Sequence, residues 1–400
     1  MEKKGSHWKV LLYPSLAALI VITAIAVWSQ LWILTAIPIG FLFGFFLQKG
    51  DLCGSSAFSE VLMMKDRRKV AGIWVLIVVA MIGFAVLDLL GWVKLNPKPF
   101  IYWNYILGGL VFGVGMVLAG GCVSGCVYKA ATGNLNSIVA LLMIPVGVML
   151  VEFGPLNSLQ NMMKSRSFPA PNGEALSLNA LTGIPFWVWA LVFFIATAMI
   201  GLRKLKYKKA TPVKSIADSG FERIVTRSWK PWQAGVAIGL LMIPAYLSSA
   251  ASGRNYPLGV THGVMQAELL VIDTNLNHVY QPPSTANTGN QPGSPSAPAG
   301  KKIVWWLVFL VFSMMIGSWS SARMSGQAKL LRKPPDEILF ALLGGLMVGA
   351  GAAFATGCVV GNIMSGWALL SIGTFLFGIV VILANWATTY LYMMGGRINR

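Results

Sequence analysis

The sequence predicts an all-α polytopic membrane protein built as two inverted pseudo-repeats. Whole helices alternate with broken ones, and cysteine-bearing breaks meet near the bilayer midplane. Three observations carry this expectation: apolar runs of membrane-spanning length, basic residues gathered in a few turns, and one cysteine segment that recurs in register. The 400-residue chain is 56% hydrophobic and 11% charged, with a mean hydropathy of +0.68. A helix needs roughly 20 apolar residues to cross a ~30 Å hydrocarbon core. Such runs stand at Lys9–Trp28, Val70–Leu90, Leu135–Val151, Ile184–Leu202, Ile303–Trp319 and Ser371–Met393. The first leads into more membrane segments without a small-residue cleavage site, so it reads as a retained helix.

A net charge of +18 would suggest a nucleic-acid partner in a soluble chain; here the placement of the charge explains it. Lys3, Lys4 and Lys9 precede the first run, and Lys65, Arg67, Arg68 and Lys69 share one turn. Residues 203–230 form a basic loop, Arg323, Lys329, Arg332 and Lys333 form another turn, and Arg397 and Arg400 end the chain. The positive-inside rule places all of these, with both termini, in the cytoplasm. Contact with anionic lipid accounts for the remaining excess. The basic-poor loops 154–183 and 271–302 are expected outside; the second is a Pro/Ser-rich insertion.

The repeat is visible without a gap. "LGGLVFGVGMVLAGGCVSG" (107–125) aligns with "LGGLMVGAGAAFATGCVVG" (343–361), placing Cys122 on Cys358. Residues 39–58, with Cys53, are echoed more weakly by 238–259, where Arg254 and Tyr256 stand instead of a thiol. The chain then divides into a first transmembrane repeat, 1–153, an extracytoplasmic loop, 154–183, and a second repeat, 184–400. Each half reads as helix, broken segment, helix, broken segment, helix: 9–29, 33–66, 70–90, 104–134 and 135–153, then 184–202, 232–270, 303–322, 337–369 and 371–394. Five crossings per half invert the second half relative to the first and put every basic cluster on one side. Re-entrant broken segments would instead put Lys65–Lys69 opposite the rest. Inverted repeats with broken helices place a substrate between the two halves.

Four cysteines lie in or beside apolar segments: Cys53, Cys122, Cys126 and Cys358. None sits in a polar loop, which does not suit a disulfide framework. No CxxC pair occurs and none of the three histidines lies near a cysteine in sequence, so no metal site and no cofactor are expected. Amides freed at a helix break, with glycines that let a ligand approach the backbone, favour an anion. A single free cysteine usually acts as a small buried hydrophobe. Three at helix breaks suggest a lining of neutral, weakly donating S–H groups, which a soft sulfur-bearing anion would suit. Lys49, Lys129 and Arg254 are basic residues in broken segments, each either an anion contact or a side chain that snorkels to the interface. Gly109/Gly113 and Gly345/Gly349 have helix-packing spacing. Gly121, Gly125, Gly357 and Gly361 flank the cysteines, where unusual backbone angles are expected. Glu60 and Glu152 are acidic residues that either pair with a lysine or couple protons.

The motifs "KGDLCGSSAFSEV" (49–61), "MVLAGGCVSGCVYKAATGN" (116–134), "FATGCVVGNIMSG" (354–366) and "ANWATTYLY" (384–392) resemble those of the YeeE/YedE family of bacterial inner-membrane thiosulfate uptake proteins. The resemblance covers most of the chain apart from 154–183 and 271–302. It implies that Cys53, Cys122 and Cys358 hand thiosulfate across by S–H hydrogen bonds, with Cys126 an extra thiol. It also implies a cytoplasmic TusA-like sulfur-carrier partner. The expected function is therefore inward transport of thiosulfate across a bacterial inner membrane, not catalysis. The alternatives are a membrane thiol oxidoreductase or sulfurtransferase using the cysteines covalently, and a permease for another sulfur or selenium oxyanion.

Overall fold

The computed structural model describes residues 7–166, 175–207, 225–272, 277–279, 302–331 and 334–395. The centre of the basic loop (208–224), residues 167–174 of the 154–183 loop, most of the Pro/Ser-rich insertion (280–301) and both chain ends lie outside the described residues. Among the described residues nine helices are long and apolar enough to cross a membrane, and Phe186–Gly201 adds a shorter apolar one. The chain is a multi-pass helical membrane protein.

Whole helices are α1 (His7–Trp28), α4 (Arg68–Leu89), α7 (Leu135–Glu152), α8 (Phe186–Tyr207), α11 (Trp305–Met324) and α13 (Ile372–Thr388). Between them lie the broken segments. These are α2 (Ala36–Gly50) with α3 (Gly54–Met63), α5 (Tyr102–Leu118) with α6 (Val123–Ala131), and α9 (Pro231–Ala251) with α10 (Thr261–Ile272). The fourth is α12 (Pro335–Phe354), followed by a π-helical stretch, Val359–Gly366. Asn277–Val279 pairs in parallel with Lys302–Val304 at the feet of the insertion.

Helix pairing is reciprocal between the halves: α2 packs on α11 while α4 packs on α9, and α5 packs on α13 while α7 packs on α12. Small residues make the close approach possible, as membrane helices require in the absence of a hydrophobic drive between them. A Cβ on Gly40 or Gly44 would overlap the Leu310 or Met314 carbonyl of α11. Gly109 and Gly113 face Val380 and Ala384 of α13, whereas Gly345 and Gly349 face Ala140 and Ile144 of α7. The two GxxxG pairs are thus packing surfaces.

The connections gather at two ends. At one, Lys69 bonds Asp51, the Trp229 amide donates to the Lys49 carbonyl at 2.9 Å, and the Leu331 amide donates to Gly133 at 3.0 Å. At the other, the Asn96 side-chain amide donates to Asn255 at 3.1 Å, Ser371 donates to the Lys98 carbonyl at 3.0 Å, and His262 meets Glu152 at 3.0 Å. The first, where the 65–69, 225–231 and 323–331 turns meet, is the basic end. Every broken segment starts at one end and finishes at the other. Lys65–Lys69 therefore sit with the other described basic turns, as single crossings require and re-entrant segments do not.

Candidate functional site

Cys53, Cys122 and Cys358 occupy the same structural position. Each is the extended residue that heads a second half-helix: Cys53 before α3, Cys122 before α6, Cys358 before Val359–Gly366. This position normally carries Ser, Thr, Asp or Asn, whose oxygen satisfies a first-turn amide. Sulfur is a weak acceptor, and none of the three makes a side-chain cap bond. First-turn amides, with the partial positive charge of a helix start, are thus left beside each thiol.

The breaks converge. The Cys53 and Cys122 sulfurs are 4.0 Å apart, and the Ser124 hydroxyl lies 3.4 Å from the Cys122 sulfur. Gly125 permits this approach, because a Cβ there would overlap the Cys53 sulfur. A Cβ on Gly54 would stand 2.9 Å from Val359, so the neighbours of Cys53 and Cys358 pack together. Cys53, Cys122 and Cys126 are 0% exposed and Cys358 is 1% exposed, so the thiols are closed off from both ends.

Cys358 lies toward the end opposite the basic turns. Lys98, in the α4–α5 connection, donates to the Thr356 carbonyl at 2.6 Å and to Asn362 Oδ1 at 2.7 Å. Its ammonium stands 5.1 Å from the Tyr256 ring centre. The Tyr256 hydroxyl donates to the Gly361 carbonyl at 2.5 Å, which docks the cysteine-free break onto the Cys358 break. Arg254 donates to its own loop carbonyls at Tyr256 (3.1 Å) and Pro257 (3.4 Å) and stands 5.6 Å from the Tyr256 ring. Among the described residues neither cation has a carboxylate partner. Glu60 is at the other end, bound to Lys69, so it pairs with a lysine. Burial, and then the Arg254 charge, push Lys98 down to about 7. Lys98 was missed from the sequence, although "VKLNPKPF" places two lysines on the basic-poor side, against the positive-inside bias.

The remaining candidates make bonds within the fold. Lys49 is 2% exposed and donates to the Val225 carbonyl and to Ser325 at 2.5 Å, tying connections of the basic end together away from the thiols. Lys129 donates to the Gly120 carbonyl at 2.7 Å. The Cys126 thiol donates to the Gly121 carbonyl at 3.6 Å, and its register mate Asn362 donates to the Gly357 carbonyl at 2.8 Å. Cys126 thus braces its break as an asparagine braces the other. The glycines need correction: of Gly121, Gly125, Gly357 and Gly361, only Gly357 has positive φ, at 158°. Left-handed backbone falls one residue earlier, at Gly120 (φ 67°) and its register mate Thr356 (φ 55°). Close approach, not backbone angle, is what requires Gly125. No cluster of three or more metal-ligating side chains occurs among the described residues.

A family model described as sulphur transport matches residues 49–387, from just before Cys53 to well past Cys358. The chain belongs to the sulphur transport family. Among its relatives, the thiosulfate transporter TsuA of Spirochaeta thermophila is 30% identical over 366 residues, 89% of this chain and 98% of its own. The thiosulfate transporter TsuA of Escherichia coli K12 is 27% identical over 362 residues, 90% and 94% of the two chains. The probable transporter YedE of Escherichia coli K12 is 33% identical over 104 residues, 25% of each chain. This is a family of transport proteins, not of enzymes.

Proposed function

We propose that this sulphur transport family member carries thiosulfate into the cytoplasm of a bacterial cell, passing it from Cys358 to Cys122 to Cys53. In this reading it sits in the inner membrane with the basic end and both termini cytoplasmic, and its halves, 1–153 and 184–400, are inverted repeats flanking the path. The observation that carries the reading is the threefold recurrence of a buried thiol at an uncapped half-helix start. First-turn amides without an oxygen cap suit the oxyanion oxygens, and neutral S–H groups suit the terminal sulfur as weak donors. Shallow wells of this kind pass an anion on, whereas a fixed cation at each step would trap it. Lys98 and Arg254 gather the anion at the outer mouth, and a TusA-like carrier receives it in the cytoplasm. The test is uptake of labelled thiosulfate by proteoliposomes, competed with sulfate. Thiosulfate uptake that sulfate barely inhibits is expected; equal competition by sulfate assigns another oxyanion.

The 4.0 Å separation of Cys53 and Cys122 favours one second reading, covalent thiol chemistry at that pair. Uptake by a Cys122→Ala, Cys358→Ala double variant at the wild-type rate would remove the relay and leave the thiols without a transport role.

A further inference from the structure

The thiol line does not open directly onto the basic end. A cavity of about 610 Å³ lies there, lined by Asp51, Glu60, Lys69, Tyr128, Lys129 and Trp229 among others. Cys53 is 0% exposed behind it. One carboxylate stands between them. Asp51 ends α2 in the left-handed conformation (φ 47°), two residues before Cys53. The Tyr128 hydroxyl donates to its Oδ1 at 2.6 Å, and Lys69 donates to its Oδ2 at 2.5 Å. Lys69 also donates to Glu60 at 2.5 Å and to Ser56, in the first turn of α3, at 3.3 Å. Asp51 thus ties the Cys53 break to the Cys122 half-helix through Tyr128, and to α4 through Lys69. An anion leaving Cys53 for the cavity meets a carboxylate that shares its bonded lysine with a second carboxylate.

We propose that Lys69 is a partner-switching gate cation and that the cavity is an exit site for a divalent sulfur oxyanion. With the path empty, Asp51 and Glu60 hold Lys69, and the Tyr128–Asp51 bond seals the cavity from Cys53. An anion arriving at Cys53 takes Lys69 from the carboxylates, the Tyr128–Asp51 bond opens, and the anion moves into the cavity between Lys69 and Lys129. The carboxylates then reclaim Lys69, which ejects the anion and recloses the seal. A dianion competes well with two separate carboxylates for one ammonium, since charge-assisted bonds of this type are the strong ones. Apart from Lys69, the lining sets Lys49, Arg68 and Lys129 against Asp51, Glu60 and Asp66, so the charge available to the cargo is that of Lys69. The gate rests on the transport reading above.

The experiment uses the full-length protein in proteoliposomes and two readouts. First, with Cys122, Cys126 and Cys358 replaced by alanine, the rate at which a bulky hydrophilic maleimide in contact with the basic end labels Cys53 is measured without substrate. Asp51→Asn and the isosteric Tyr128→Phe are each expected to raise that rate about tenfold or more, a loss of roughly 1.4 kcal/mol of closure. Second, in the chain with all four cysteines, Lys69→Met is expected to lose thiosulfate uptake. Thiosulfate should still protect Cys358 from a maleimide applied at the opposite end. Unchanged Cys53 labelling in both latch variants, or wild-type uptake by Lys69→Met, overturns the gate. A wild-type protein that moves no thiosulfate defeats the transport reading instead, and the labelling rates still decide the gate because they need no substrate.

Discussion

The two ends of the thiol line are built from similar side chains used in opposite ways. Near Cys358, Lys98 and Arg254 are bound to carbonyls and an amide oxygen and rest against the Tyr256 ring, with no carboxylate partner among the described residues. Near Cys53, Lys69 is shared by Asp51 and Glu60, and Tyr128 locks the same carboxylate. Carbonyl dipoles satisfy an ammonium's hydrogen bonds without cancelling its charge, so the Cys358 end retains an attraction for anions. Carboxylates cancel it. In the proposed uptake that asymmetry supplies a mouth that concentrates the cargo and an exit that holds it less tightly.

The largest effect is expected at the thiols themselves. Cys122→Ala and Cys358→Ala should each reduce thiosulfate uptake by about 100-fold or more, a change large enough to mark a step and not a packing loss. Full activity in either variant would remove that thiol from the path. Gly125→Ala should come next, with uptake down roughly tenfold in a protein that still purifies as one species. Its new methyl group would occupy the space in which the Cys53 sulfur approaches Cys122. Uptake equal to wild type would mean that the 4.0 Å approach is not used.

The comparison between ends is sharpened by Lys98 and Arg254. Arg254→Gln and Lys98→Met should each raise the KM for thiosulfate about tenfold, the scale of one lost charge-assisted bond, with the maximal rate changed less. If Arg254 acts at the site, the loss persists at high salt; if it only steers anions from the surface, the loss vanishes as salt screens the field. Because Lys98 is held down to about 7, it is mostly charged at external pH 6 and mostly neutral at pH 8. KM should therefore rise with external pH across that window in wild type and stay flat in Lys98→Met. A wild-type KM independent of pH between 6 and 8 would show that Lys98 does not bind the anion in its charged form.

The smallest effect is expected at Cys126. Since Asn362 makes the matching bond in the other half, Cys126→Asn should keep uptake within about twofold of wild type. Cys126→Ala should lose a little stability through the missing brace. A Cys126→Asn variant as inactive as Cys122→Ala would move Cys126 from the scaffold into the path.

The architecture was legible because its signals are local. Apolar length, glycine spacing and basic turns each occupy one stretch of chain, and the segments read from them coincide with the helices to within a few residues. The in-register match of Cys122 with Cys358 likewise led to two thiols in one backbone setting. The chemistry around the thiols was less legible because it is assembled across the chain. Lys69 reads in isolation as one more topology signal, yet it bonds Asp51 and Glu60 from the preceding broken segment. Lys98 reads as a loop residue, yet it reaches a break distant in sequence. Glu152, expected with a lysine or a proton, meets His262 from the other half. The glycine correction has a similar cause. Spacing marks where the backbone is crowded, but only the folded chain separates a residue that must turn (Gly120) from one that must vanish (Gly125).

The central claim is that the thiols pass the anion on without bonding to it covalently. The most direct test is intact-mass analysis of the protein recovered, under acid quench, from proteoliposomes in the act of accumulating labelled thiosulfate. The account predicts four unmodified thiols at every time point while uptake proceeds. A persulfide, a thiosulfonate adduct or a Cys53–Cys122 disulfide that rises and falls with uptake would contradict it and establish a covalent route.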